Sequence, residues 1–173
     1  MVCSWDPTHA KFVLESINAG KHVFCEKPLA TSAEENLKII EEEIKFGKKL
    51  VQVGFMRRYD KGYREIKKNI ENDEIGSPLM VHSIHRNRVP ESQFNTEMSI
   101  KNSVIHEIDL YRWLLGEDYR KVQVVILKTS KHAEGELVDP QIVLLETVSG
   151  IRIDVESFVS CQYGYDVRCE VVG

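Results

Sequence analysis

Two short stretches of the sequence carry side chains whose types and spacing suit proton chemistry. Asn102, His106, Asp109 and Trp113 recur at intervals of four, three and four. On a helix they share one face, with Asn102 and His106 one turn apart. An imidazole beside an amide and a carboxylate has the makings of an oriented general base, because it titrates near neutral pH. A capping asparagine with a core or surface histidine is the structural alternative. The second stretch is Glu26-Lys27-Pro28. Proline fixes its own φ and restricts Lys27 to an extended conformation, which holds the ammonium on stiff backbone. An ordinary solvated lysine is the alternative there.

Other reactive groups are weaker. His82 and His85 stand three apart on a strand pattern, so their rings point to opposite faces and no metal site is expected. Four cysteines, at 3, 25, 161 and 169, lack the spacing of a zinc knuckle or a redox dithiol. Cys25, in the apolar run Val23-Phe24-Cys25, reads as a buried, inert thiol. Gly54-Phe55-Met56 reads as strand-end packing as readily as a ligand contact.

The elements that must position these groups follow from periodicity. Ala10, Val13, Leu14 and Ile17 predict a helix stopped at Gly20, and a short apolar strand follows over 22–25. Thr31-Ser32-Ala33-Glu34 is a capping box opening a helix whose stripe is Ala33, Leu37, Ile40 and Ile44, closed by Gly47 and Lys48-Lys49. A strand over 50–55 completes a parallel βα pattern. Lys27 then lies at the carboxyl end of a parallel strand, where open α/β sheets bind ligands. Residues 2–5 look like the tail of an earlier strand, and no G-x-G-x-x-G loop occurs anywhere. The parallel sheet is therefore expected to start in mid-fold.

After Phe55 the pattern changes. Helices are expected over 61–72 and 102–115, the second ended by Gly116 with Val104, Ile108, Tyr111 and Leu115 facing the core. A turn at Gly76-Ser77-Pro78 leads to a strand over 79–86, and an irregular polar stretch covers 88–101. Strands over 122–128, 141–147, 151–159 and 165–172, with a hairpin at Val148-Ser149-Gly150, predict an open, mostly antiparallel sheet. The fold class is α/β over residues 1–54, followed by an α+β domain over 55–173.

Composition excludes several classes. Of 173 residues, 42% are apolar and 29% charged, which is ordinary for a globular protein and argues against disorder. With 23 Lys and Arg against 27 Asp and Glu, the net charge of -4 speaks against nucleic acid as a partner. No apolar run is long enough to span a membrane, and no signal peptide is visible, so a cytoplasmic location is expected.

Four segments, FCEKPLATSAEE, VQVGFMRRYD, SVIHEIDLYRWLL and QYGYDVRCE, resemble the Gfo/Idh/MocA oxidoreductases in order and spacing along essentially the whole chain. The resemblance implies the C-terminal part of a Rossmann sheet joined to an open-faced sheet domain that forms homo-oligomers. It implies NAD-dependent oxidation of a ring hydroxyl to a ketone, with myo-inositol or a related sugar as the polyol. Lys27 matches a lysine that touches substrate and cofactor, and His106 the histidine that takes the hydroxyl proton. Arg57, Asn87 and Tyr165 fall where the family contacts polyol hydroxyls. Trp5, His9, Glu26 and Pro28 fall where it lines the nicotinamide side of the cofactor.

Two departures stand out. Asn102 occupies the place of an aspartate that orients the catalytic histidine. The resemblance also covers only the middle of the family's chain, without its pyrophosphate loop. The isolated chain is expected to be inactive and to bind NAD poorly. Two readings follow: an inositol-dehydrogenase-like polypeptide carrying the active-site half, or a non-catalytic remnant that keeps the oligomerising sheet.

Overall fold

A computed structural model describes residues 1–88 and 94–173. The chain divides into two compact units, Met1–Met56 and Arg57–Gly173.

The first unit runs from a 3₁₀ turn, Asp6–Thr8, into α1 (His9–Asn18), β1 (Val23–Cys25), α2 (Ala33–Phe46) and β2 (Val51–Val53). β1 and β2 pair in parallel with Val23 opposite Val51, and Val2 adds a parallel bridge to Cys25. Val13, Ile17, Val23, Cys25, Ile39 and Leu50 are the centre of its core. Gly20 takes the left-handed φ of 65° that ends α1, as its position predicts.

Two details of α2 differ from the sequence reading. The cap is Ser32 rather than Thr31: its Oγ accepts from Glu35 N at 3.2 Å, while the Glu35 carboxylate reaches back to Thr31 N at 3.3 Å. The capping box therefore sits one residue later. The stripe also differs. Ile44 is 71% exposed, Leu37 and Ile40 are exposed as well, and Ile39 is the fully buried position. The rotation is set by Glu43, one turn after Ile39, whose carboxylate accepts from Leu50 N at 2.6 Å and Val51 N at 2.7 Å. Satisfying the two backbone donors where the chain enters β2 turns the Ile39–Glu43 row inward.

The second unit contains α3 (Lys61–Glu71), β3 (Met80–Arg86), α4 (Thr96–Met98), a π-helical turn (Ser99–Val104), α5 (Ile105–Leu115), β4 (Tyr119–Ile126), β5 (Gln141–Thr147), β6 (Arg152–Phe158) and β7 (Asp166–Val172). Asp60 caps α3 by accepting from Gly62 N and Tyr63 N. The five strands are ordered β4-β5-β6-β3-β7, with only β3 and β6 parallel. This is the mostly antiparallel sheet that the hairpin signals predict. β5 and β6 join at the expected turn, closed by Gly150 N to Thr147 O at 3.1 Å.

Val104, at the end of the π turn, and Leu110, Tyr111 and Leu114 of α5 pack with Val81, Val143, Leu145, Ile153 and Val155 of the sheet. The expected stripe is therefore shifted: Ile108 and Leu115 are only half-buried. The helix starts at Ile105 because residues 99–104 form the wider π turn. The irregular polar stretch expected over 88–101 lies partly outside the described residues, and its later part forms α4 and the start of that turn. β4 begins at Tyr119, earlier than expected, because Tyr119 already pairs with Thr147 across a register shift. Among the described residues no helix is long and apolar enough to cross a membrane.

Candidate active site

In the first unit the sequence-flagged residues gather at the carboxyl ends of the parallel strands. Glu26, Lys27 and Pro28 follow β1 directly; Pro28 is buried and Glu26 and Lys27 are half-buried. His9, the first residue of α1, is buried, with Nδ1 2.7 Å from Pro28 O and Nε2 2.9 Å from Ser4 O. One imidazole therefore ties the Lys27–Pro28 loop to the segment after Val2, and both its nitrogens are engaged by backbone. Gly54 ends β2 where a Cβ would meet the Phe24 ring at 3.0 Å and Glu26 Oε1 at 3.1 Å. The missing side chain is what lets Glu26 lie over that strand end. Trp5 is exposed beside this loop's anchor at Ser4. The Cys25 thiol beneath is buried, and burial pushes its pKa up to about 11, as befits an inert group.

In the second unit the flagged residues converge on one buried carboxylate that the sequence reading did not single out. Glu107, fully buried in α5, accepts from Arg57 Nη1 through Oε1, and Oε2 lies 3.0 Å from Nδ1 of His85. His85 projects from β3 into the same buried space, and the ring of Tyr165 stands edge-on to it at 6.0 Å. Burial works to lower the Arg57 pKa, but the charge and hydrogen bond of Glu107 outweigh it and the net shift is upward. Arg57 thus stays a guanidinium although only 6% of its surface is exposed.

Asn87 follows β3, two residues past His85. Its backbone is pinned by Asn87 N to Phe158 O at 2.9 Å and Cys161 N to Asn87 O at 3.2 Å. A second unflagged carboxylate holds that turn: buried Asp139 accepts from Val159 N at 2.9 Å, Ser160 N at 2.8 Å and Ser160 Oγ at 2.5 Å. His106 is buried in the first turn of α5, beside Glu107 in sequence. Asn102 is half-buried in the π turn. Its expected one-turn relation to His106 spans a junction between two helix types, where the α-helical spacing rule does not apply unchanged. Asp109, the carboxylate expected beside His106, is committed to Arg58, which donates to both its oxygens, one of them from Nε at 2.7 Å. His82 is exposed and paired with Asp154 at 2.6 Å, whereas His85 is buried, as strand alternation requires.

Both units match one kind of protein. Residues 1–55 match the family model described as oxidoreductase family, NAD-binding Rossmann fold, and residues 63–173 match the GFO/IDH/MocA C-terminal domain. These matches define a dinucleotide-linked oxidoreductase class, and the chain belongs to the GFO/IDH/MocA family. It is 60% identical over its whole length to the inositol 2-dehydrogenase of Burkholderia vietnamiensis strain G4 and 57% identical to that of Pseudomonas fluorescens strain SBW25. The chain spans about half the length of these curated relatives, 51% and 52%. Among solved structures, myo-inositol dehydrogenase from Lactobacillus casei, in complex with NAD(H) and myo-inositol, superposes with a TM-score of 0.96 at 40% identity. That match covers 99% of this chain and 51% of the other. A myo-inositol 2-dehydrogenase from Lactobacillus plantarum superposes at 0.86 with 26% identity, over 99% and 53% of the two chains.

Proposed function

We propose that this chain carries the substrate-binding and proton-handling residues of an NAD-dependent inositol dehydrogenase. The observation that supports the reading is the buried Glu107 cluster, which holds Arg57 and His85 in place beside Tyr165 and next in sequence to His106. Guanidinium, amide and phenol groups suit a ring bearing several hydroxyls, and Arg57, Asn87 and Tyr165 are assigned to hold them. His106 is assigned to take the proton of the reacting hydroxyl, and Lys27 keeps the catalytic assignment that the family resemblance gives it. Asn102 assists His106 as an uncharged neighbour. Trp5, Glu26, Lys27 and Pro28, at the carboxyl ends of parallel strands, are the residues that fit the nicotinamide end of NAD; His9 serves them by fixing the Pro28 carbonyl. The nicotinamide, when bound, supplies the hydride acceptor. No G-x-G-x-x-G loop for the pyrophosphate occurs in these 173 residues. We assign residues 1–54 to the cofactor side, residues 55–173 to substrate binding and assembly, and the chain to the cytoplasm.

Titration of the chain with myo-inositol, followed by amide and side-chain NMR, tests this. Saturable shifts at Arg57, Asn87, Tyr165 and His106, with a flat response to NAD into the millimolar range, are expected. No response to myo-inositol would overturn it, whereas micromolar NAD affinity would show that these residues hold the cofactor without a G-x-G-x-x-G loop.

A second reading, an associating module without catalysis, draws on the outer strand β4. Val122, 64% exposed, together with Val124 and Ile126 presents an apolar face on that outer strand of the kind that self-associates. Light scattering should then give a dimer or larger; a stable 19.9 kDa monomer at micromolar concentration removes this reading.

A further inference from the structure

The cluster around Arg57 has a charge balance that bears on which ligands the site accepts. Glu107 Oε1 takes Arg57 Nη1–H, and Oε2 lies 3.0 Å from His85 Nδ1. Arg57 Nη2 also lies 3.4 Å from that nitrogen. A guanidinium only donates, and Nδ1 cannot both donate to the carboxylate and accept from Arg57. The shorter contact to an anion decides: Nδ1 carries the proton and donates to Glu107. One buried carboxylate thus serves two donors, and its charge cancels that of Arg57. Other groups acting electrostatically with Arg57 are the phenols of Tyr63 and Tyr165 and the Cys169 thiol, which burial, the largest influence on it, pushes up to about 11. Burial, the largest influence on Tyr63, pushes its pKa up to about 12, so it adds no charge near neutral pH.

An unpaired arginine at a binding site is a receptor for carboxylates and phosphates, because its fork matches their geometry and its charge attracts them. Arg57 is not in that state. An anionic ligand reaching it would meet Glu107 at close range and lose its hydration without gaining a free counter-charge. A hydroxyl has no such handicap, since it accepts from a remaining guanidinium N–H and brings no charge with it. We propose that Glu107 is a specificity-determining residue: by neutralising Arg57 from inside, it restricts the site to uncharged polyols and rejects their phosphate esters and acid derivatives. The proposal rests on the reading of Arg57 as a hydroxyl contact. Selection here works by a built-in repulsive element as much as by attraction.

The test is an NMR titration of the full chain with myo-inositol, an inositol monophosphate and glucuronate, each at low and high ionic strength. Wild type should bind myo-inositol at least about tenfold tighter than either anion, and added salt should change that ratio little, since a compensated pair projects little field. Glu107→Gln should move the preference toward the anions by about tenfold or more and make their binding salt-sensitive. Glu107→Asp, which keeps the charge, should keep the wild-type order. A folded Glu107→Gln protein with an unchanged preference overturns the proposal. If that variant does not fold, the wild-type ranking decides alone: an anion bound as tightly as myo-inositol, or more tightly at low salt, overturns it. Wild type that binds none of the three ligands overturns the polyol reading itself and this inference with it.

Discussion

His9 and Pro28 are joined across nineteen residues by a 2.7 Å contact between the imidazole Nδ1 and a backbone oxygen, and the other ring nitrogen holds Ser4 O. This bridge fixes the loop that carries Lys27 from the side facing the core. Replacing His9 by Leu removes the buried contact to Pro28 O and the part-buried one to Ser4 O, at a cost of about 1–3 kcal/mol for the one buried carbonyl left stranded. We expect hydrogen exchange at residues 23–27 to accelerate accordingly while the β3–β6 amides of the second unit stay protected. Equal protection in both units of the variant would show that the bridge is not what orders the loop.

Asp139 makes a comparable clamp for Asn87. Three donors converge on its carboxylate from Val159 and Ser160. In Asp139→Asn one oxygen becomes an NH₂ group facing these donors, and the charge assistance is lost. A loss of about 2–4 kcal/mol is expected. It should appear as a lower urea midpoint with an unchanged slope, together with faster exchange at Cys161 N. A midpoint within error of wild type would mean that water or a rotated side chain replaces the clamp.

Much of this architecture is legible in the sequence because the signals are local. Gly20, Gly47 and Gly116 mark helix ends, and each adopts the left-handed conformation there. Val148-Ser149-Gly150 marks the hairpin of β5 and β6. What escapes is set by partners distant in sequence. The rotation of α2 depends on Glu43 capping β2, so apolar spacing alone points to the wrong stripe. The π turn depends on how residues 99–104 meet the sheet, as in the contact of Ser99 Oγ with Ser157 Oγ at 3.3 Å. Glu107 did leave a signal. Val104, Glu107, Tyr111 and Leu114 follow a three-four-three spacing, and a carboxylate inside such a row must have a buried partner. The stripe through Ile108 hid it. His85 carries the same kind of mark, standing on the inward side of β3 with Val81 and Ser83.

The cysteines and tyrosines predict behaviour at high pH. Cys3 is exposed, whereas burial holds the thiols of Cys25 and Cys169 at about 11. Near pH 8 only about one in a thousand of these two thiols, buried Cys25 and half-buried Cys169, is thiolate, so iodoacetamide should label Cys3 in the native chain and the others only after unfolding. Burial also raises the phenols of Tyr63, Tyr111 and Tyr119. All these groups hold their protons more tightly when folded. The stability they contribute is therefore fully present below the unfolded thiol value of 9.0 and is lost as pH rises through about 11. Urea midpoints measured across that window should fall. A flat profile would show that the buried groups titrate as they do in the unfolded chain.

Asn102 offers a test of the proposed chemistry. Joined to the N-terminal and C-terminal segments of a curated relative, the chain acquires a complete cofactor site while Asn102 remains. Such a chimera should bind myo-inositol, because Arg57, Asn87 and Tyr165 are unchanged, but turn over slowly. An amide orients an imidazole less well than a carboxylate and stabilises its cation hardly at all; the corresponding change in a serine-protease triad lowers turnover about ten-thousandfold. Asn102→Asp in the chimera should raise kcat by about two to four orders of magnitude, the range for a positioned acid–base element. KM should move far less, since the interaction strengthens mainly as the imidazolium forms in the transition state. The acid limb of the kcat profile should also shift upward, because a nearby carboxylate favours the charged ring. Equal kcat values for the two chimeras, with the same pH profile, would show that the residue at 102 does not act on His106.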